Sequence, residues 1–336
     1  MNKIAKTVLI TGTALCAAGV VLSTAGYFAG GKDFTYTSDH MYVSGGNSSS
    51  RKNLTVMKKE QIDDFMKLNV DFEDFDLDIR TSDDDHYYME YKLEKNGRKN
   101  PLTWKDKDGE LTLEESAGGS GSYYITYDLG IFSTHADLTE KKDALNTVIL
   151  YIPEKAQLSE AELQLSDGDL TADQLLCKEM TLELLNGDLM LDKGEFEKFD
   201  AKLSDGDLNV KELQCTDNMQ LKSGNGDVTI KKAELADGQI ALSDGDIQID
   251  NSSFNGDMKI NSSCGDVSVE MKNGSVEKTN IYLKTADGDV DTEGLSRGKT
   301  DNEEDTSVYE NKAGASAPTL NVECSDGDIT LTESEK

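Results

Sequence analysis

Histidine, proline and tryptophan are nearly missing from this chain of 336 residues. Its three histidines (His40, His86 and His135) lie far apart, which leaves little material for imidazole catalysis or a zinc site. Three prolines against 29 glycines exclude both a collagen-like chain and a proline-rich stalk. Basic residues are also scarce: 34 Lys and Arg face 65 Asp and Glu, a formal net charge of −31. That balance excludes nucleic acid as a partner, because phosphate contacts need clustered Lys and Arg. It also opposes docking on an anionic lipid surface by charge. H-E-x-x-H does not occur, so that zinc-hydrolase signature is absent.

Charge itself is absent from residues 7–31, TVLITGTALCAAGVVLSTAGYFAGG, with Lys3 and Lys6 before them. As a helix this stretch spans roughly 37 Å, enough to cross a hydrocarbon core of ~30 Å. A cleaved signal peptide has an apolar core of only ~7–15 residues and a small-x-small cleavage site. The length favours an uncleaved signal anchor: one N-terminal transmembrane helix, N-terminus cytoplasmic by the positive-inside rule, and the bulk of the chain outside the cell membrane. Single-pass attachment follows, since no second apolar run of that length occurs.

What is abundant is the dipeptide Gly-Asp. It recurs nine times, at Gly168, Gly187, Gly206, Gly226, Gly245, Gly256, Gly265, Gly288 and Gly327. Without Gly256 the steps are 19, 19, 20, 19, 20, 23 and 39 residues. Apolar residues alternate before the dipeptide (Leu163 and Leu165; Leu182 and Leu184; Ile240 and Leu242), which is the period of a strand with one face inward. An aliphatic residue follows: Leu170, Leu189, Leu208, Val228, Ile247, Val267, Val290 and Ile329. Stacked coils would place these in one buried column, with Asp-Gly or Asn-Gly supplying a sharp corner. A meander of hairpins is the competing reading. The regular spacing favours an all-β, parallel β-solenoid of 19–20-residue rungs. Asp237-Gly238 and Gly256-Asp257 fall half a rung away and mark a second corner.

The chain then divides into a cytoplasmic stub and anchor (1–31), a flexible tether (32–53), an N-terminal β region or cap (54–155) and the Gly-Asp solenoid (156–332). The polar, acidic stretch 296–318 reads as a loop standing in for about one rung, disordered or projecting sideways. Cys177, Cys215, Cys264 and Cys324 show no paired spacing. Cys177 and Cys215 share a column two rungs apart, about 9.6 Å and too far for a disulfide. All four read as small buried apolar side chains.

The order of motifs resembles the "putative adhesin" β-strand-repeat family of Gram-positive membrane-anchored proteins, a domain of unknown function. An N-terminal span is followed by F-x-x-L-x-V (Phe65, Leu68, Val70) and D-x-x-I-x-x-S-D-D-x-x-Y-x-x-E-Y (Asp76 to Tyr91). Next come G-x-L-x-L (Gly109 to Leu113), V-x-L-Y-I-P (Val148 to Pro153) and the Gly-Asp rungs. The resemblance covers about residues 54–332. It implies a β-solenoid outside the membrane, an association with envelope stress or sensing, and no catalytic residues.

The repeated aspartates are the candidate site. Asp169, Asp188, Asp207, Asp227, Asp246, Asp266, Asp289 and Asp328 should line one edge. Carboxylates ~4.8 Å apart repel by roughly 1 kcal/mol in water and ~3.5 kcal/mol at an effective dielectric of 20. Either each accepts backbone N–H bonds of its own or the adjacent turn, or weakly bound Ca²⁺ bridges successive rungs. An identical Asp on every rung suits structure better than catalysis, so a glycan-cleaving enzyme is the least favoured reading. The one richer cluster is 83–104, with Asp83, Asp84, Asp85, His86, Tyr87, Tyr88 and Trp104, and it reads first as an edge loop beside aromatic strand residues. The expected work is binding without catalysis or cofactor. The expected partners are a cell-wall component or another membrane protein.

Overall fold

The structure, a computed structural model, describes residues 34–36, 41–43, 54–117 and 145–335, apart from 293, 296–297 and 304–305. The expected transmembrane helix at 7–31 and most of the tether lie outside the described residues. Among the described residues no helix is long and apolar enough to cross a membrane. The chain forms two units, Met1–Leu54 with Gly118–Lys142, and Thr55–Ala117 with Asp143–Lys336. Of the first, the described part is a small antiparallel pair, Phe34–Tyr36 with Met41–Val43.

Among its described residues the second unit is all-β apart from one short 3-10 turn at Val276–Lys278. It is built as stacked coils with parallel pairing from coil to coil. Each coil has three faces. The first face leads into the Gly-Asp corner, as in Leu158–Leu165. The second follows it, as in Leu170–Ala172. The third opens the next long strand, as at 175–177 of Leu175–Asn186. Pairing keeps the alternating positions in register apart from shifts at Phe196/Lys198, Cys215/Asn218 and Ile249/Ser252: Leu163 lies opposite Leu182, Leu182 opposite Ala201, and Leu170 opposite Leu189. The inward residues therefore stack into columns. Leu170, Leu189, Leu208, Val228, Ile247, Val267 and Ile329 are buried, whereas Val290, at the end, is half-buried. Burying one such side chain contributes about 1.5–3 kcal/mol, and this repeated column is the main cohesive force of the unit. Cys177, Phe196 and Cys215 form the corresponding third-face column.

The order of coils in space departs from their order in the chain at both ends. From Gly168 to Gly265 the two orders agree. After that, Thr319–Asp326 pairs with Met258–Cys264 on one side and with Asn280–Asp287 on the other. The Gly327 coil is thus inserted between the Gly265 and Gly288 coils. At the opposite end Lys67–Phe72 pairs with Leu158–Leu165 and with Glu110–Glu115. Asp76–Ser82 likewise pairs with Leu170–Ala172 and with Thr147–Pro153. The first and the last coil of the chain both lie inside the stack.

This corrects the expectation for 296–318. The stretch replaces no rung. Thr306–Asn311 runs antiparallel along Asn280–Asp287, and Lys299–Glu303 runs antiparallel outside it. An outermost parallel coil presents unpaired amides and carbonyls, and a returning antiparallel strand covers them. Tyr309 from this hairpin is buried at the stack end, in the space left by Gly298, where a Cβ would overlap its ring. The Asn280 side chain holds the following turn by accepting from Ala313 and Gly314 N–H and donating to Gly314 and Ala317 carbonyls.

The first end is closed the same way. Tyr87–Glu94 runs antiparallel to Thr147–Pro153, and Leu102–Lys107 antiparallel to Glu110–Glu115. A buried ion pair locks it: Arg98 Nη1 donates to Glu115 Oε1 at 2.6 Å, and the two side chains are 5% and 2% exposed. Glu115 Oε2 accepts the N–H groups of Glu73 and Asp74 at 2.9 and 2.7 Å. The Arg98 guanidinium stands 5.3 Å from the centre of the Phe75 ring. Both charges are thereby hydrogen-bonded, the condition under which a buried pair is tolerated.

Candidate functional site

The Gly-Asp corners form one continuous edge. Its glycines are required first by proximity. A Cβ on Gly187, Gly206, Gly226, Gly245 or Gly265 would overlap the carbonyl oxygen of the glycine in the adjacent coil. Several corners also need the left-handed region, with φ of +112° at Gly226 and +118° at Gly265. Sequence reasoning identified only the second cause.

The aspartates solve a bonding problem that these corners create. At every Gly-Asp corner of this edge but the outermost, Gly288, the aliphatic residue that follows donates its N–H to the Asp carbonyl of the next coil, as Leu170 does to Asp188 at 2.9 Å. The Asp N–H points the other way, towards the preceding coil. The aspartate side chain of that coil accepts it. Asp188 N–H donates to Asp169 Oδ1 (2.9 Å), Asp207 to Asp188 (2.8 Å), Asp227 to Asp207 (2.8 Å), Asp246 to Asp227 (3.0 Å) and Asp266 to Asp246 (2.8 Å). The ladder then follows space rather than sequence: Asp328 donates to Asp266 and Asp289 to Asp328, each at 2.8 Å. It also extends one step beyond the Gly-Asp motif, where Asp169 N–H donates to Asp76 Oδ1 at 3.0 Å. A hydrogen bond to a charged group is worth about 1.5–3 kcal/mol, comparable with the repulsion it must offset. Burial pushes the Asp76 carboxyl above the usual aspartate range, against the lowering effect of the Asp169 N–H.

A second acidic column precedes the glycines, and amides interrupt it. Asn186 Nδ2 donates to Asp167 Oδ1 at 2.7 Å and Asn225 Nδ2 to Asp205 Oδ1 at 2.6 Å. The half-rung corner repeats the device once, with Asp257 N–H on Asp237 Oδ1 and Thr319 N–H on Asp257 Oδ1. The structure thus brings all eight predicted aspartates into one line and gives each a part in amide–carboxylate bonding. Among the described residues no group of three or more His, Cys, Asp or Glu side chains is arranged to hold a metal ion.

The Toastrack DUF4097 family model matches residues 65–332. This chain belongs to the Toastrack family. No curated protein matches it. Solved structures similar to this Toastrack chain include a "putative adhesin" from Parabacteroides merdae, 16% identical, with a TM-score of 0.46 over 86% of this chain and 98% of that one. A "putative lipid binding protein" from Parabacteroides distasonis is 13% identical, with a TM-score of 0.42 over 86% and 98%. A "putative cell adhesion protein" from Clostridium sporogenes is 15% identical, with a TM-score of 0.23 over 83% and 100%.

The remaining sequence candidates of this Toastrack chain are dispersed. Asp84 closes the turn after Asp76–Ser82, accepting from His86 N–H at 2.9 Å and from the Tyr88 hydroxyl at 2.7 Å, and the Tyr88 bond holds its carboxyl below the usual range. Tyr87 is buried with its ring centre 4.8 Å from that of Phe65, while Trp104 stands half-exposed on another strand. Cys177, Cys215 and Cys324 are buried, and burial pushes the Cys177 thiol up to about 12. Cys264 is exposed, which corrects its reading as a core residue: it occupies the outward position just before a corner glycine.

The second face carries a further outward column that sequence reasoning left unused. Thr171, Asn209, Thr229, Gln248, Ser268 and Thr330 are paired coil to coil through Met190 and the inserted coil. In so acidic a chain this run of uncharged hydrogen-bonding side chains is conspicuous. The cue was available: each lies two residues after the Asp of its Gly-Asp pair.

Proposed function

We propose that this Toastrack protein is a membrane-anchored, non-catalytic binding module that works outside the cell membrane, in the manner of an adhesin. The observation that carries the proposal is the second face. Its uncharged polar side chains occupy six coils, five of them adjacent from Asn209 to Thr330 at about 4.8 Å per step, on a scaffold whose strands fix their spacing. Such a row suits a long ligand with repeated hydroxyl, amide or acetamido groups, because each additional unit meets the same donor and acceptor. A bacterial cell-wall polymer has that chemistry. The uncharged segment 7–31 supplies the anchor and places the stack beside the wall. The same attachment would suit contact with another membrane protein, and through it a part in envelope-stress sensing.

The test is co-sedimentation of the full-length chain, in mild detergent, with purified Gram-positive walls. Expected is saturable binding that is lost when Asn209, Thr229 and Gln248 are changed together to Glu. Equal sedimentation of this variant would remove the second face from the proposal. Repeating the assay with millimolar Ca²⁺ and with chelator tests the second reading, in which cations on the aspartate edge strengthen the scaffold or its binding. Dependence on Ca²⁺ would favour that reading.

A further inference from the structure

A repeat sets an expectation for every outward position, so a single departure stands out. The last outward position of the first face holds Ser204, Gly224, Ser243, Ser263 and Ser325 in successive coils. The outward position of the second face holds the polar column described above. One coil breaks both patterns. Leu185, paired in register beside Ser204, is 51% exposed, and Met190, between Thr171 and Asn209, is 46% exposed. The core does not need them, since Leu184 and Leu189 already fill its columns. Single exposed apolar residues are ordinary. Here two flank one corner, 186–188, where every other comparable coil has a small or polar residue.

The surroundings specify what would cover them. Asp167, Asp169, Asp188, Asp205 and Asp207 lie on the same corner or one coil step away. The corner is a convex edge rather than a pocket, so a small molecule there would stay solvated. A neutral glycan gains little from Leu and Met side chains, and an anionic polymer or lipid is repelled. We propose that the Gly187 corner is a docking point for a cationic, extended polypeptide segment of a partner protein. Its apolar side chains seat on Leu185 and Met190, and its lysines or arginines face the flanking aspartates. Charge brings the segment to the edge, and the apolar pair fixes its position along an edge that otherwise looks alike at each coil. The inference rests on the binding reading above and names one partner class for it.

The test uses the full-length chain and a capped peptide in which two leucines flank three lysines, with a serine-for-leucine peptide as control. The variant Leu185→Ser/Met190→Thr carries only residues that neighbouring coils hold at the same positions, so its melting curve should match that of the wild type. Expected is at least tenfold weaker binding of the leucine peptide to this variant, and no such difference for the control peptide. Adding Ser243→Leu and Gln248→Met to the variant moves the pair to the Gly245 corner and should restore binding. Equal affinity of wild type and variant, or equal affinity of the two peptides for the wild type, overturns the proposal, because only the general acidity of the edge would then be acting. Wall co-sedimentation separates this from the wider reading: a wild type that binds walls but shows no leucine preference refutes the Gly187 corner alone, and one that binds no walls refutes the wall reading alone.

Discussion

The middle of the stack and its two ends are held by different means. From Gly168 to Gly265 one local pattern repeats: an aliphatic column inside, glycine against glycine at the corner, and aspartate bonded to the amide of the next coil. Its ion pairs, such as Lys202 with Glu183 at 2.7 Å, are exposed on the surface and contribute about 0–1 kcal/mol each. At the ends the coils leave chain order, antiparallel strands cover the open edges, and single groups act once, notably the buried Arg98–Glu115 pair and Tyr309 and the half-buried Asn280. Stacking can continue indefinitely by repetition, whereas termination requires contacts that are not repeated.

The largest effect that would break this comparison belongs to the middle. Gly226→Ala places a Cβ against the Gly206 carbonyl at a φ of +112°. Backbone lies on both sides and neither coil can retreat without parting the aspartate ladder. A loss of about 5 kcal/mol or failure to fold is expected, at the upper limit for single substitutions. Gly97→Ala, in a turn near one end with open space around it, faces only the strain of φ +82° and should lose about 1 kcal/mol. Urea titrations of both variants give the contrast, and equal losses would mean that close stacking is not what the corner glycines serve.

Next is the lock at the first end. Glu115→Ala strands the buried Arg98 charge and leaves the Glu73 and Asp74 N–H groups without their acceptor. About 3–5 kcal/mol should be lost. Glu183→Ala in the middle should lose less than about 1 kcal/mol. Hydrogen exchange would show whether the Glu115 variant loosens 67–115 while the Gly206 to Gly265 coils keep their protection.

The ladder itself gives a smaller effect. Asp207→Ala removes the acceptor of the Asp227 N–H and should lose about 1–2 kcal/mol. Asp207→Asn keeps an acceptor oxygen and removes one charge from a crowded column, so its midpoint should stay within about 0.5 kcal/mol of the wild type or rise. Chelator should leave both variants and the wild type unchanged. A midpoint lowered by chelator would show that cations, not amides, hold the edge together.

The same contrast explains what could be read from the sequence. The middle was legible because each coil repeats its neighbour: the Gly-Asp period, the aliphatic column from Leu170 to Ile329 and the second corner at Asp237 and Gly256 are local patterns. Coil order at the ends was not legible. A period records the step along the chain, and the 39-residue step from Gly288 to Gly327 looks like two coils although Gly327 lies between Gly265 and Gly288. The Asp76 coil keeps the aspartate but has Phe75 where the glycine would stand, because its outer neighbour is a coil without that corner. Arg98 and Glu115 meet through tertiary packing that no spacing announces. Cys264 was misread by residue type, since its position before a corner glycine points outward whatever the side chain.

Asp76 is where the repeated ladder meets the singular end, and pH separates the two. Its carboxyl is raised in the folded state, first by burial and further by the Asp169 charge, while the Asp169 N–H and the Thr147 hydroxyl act in the opposite direction. Between the ordinary aspartate value of 3.8 and the raised one, the folded chain therefore binds more protons at this site than the unfolded chain. Stability contributed by this group falls as pH rises through that window, and the cost of its ionised form is fully present above it. Asp76→Asn keeps an oxygen to accept the Asp169 N–H and cannot ionise. The variant should match the wild type below pH 3.8 and become more stable above the window, by less than about 1 kcal/mol because the half-buried group is partly screened by solvent. Melting both proteins across pH 3 to 7, with the difference plotted, isolates this carboxyl from the many others. A difference that shrinks as pH rises would mean that the Asp76 charge supports the fold, and that the ladder's first step is an ionic contact rather than a tolerated burial.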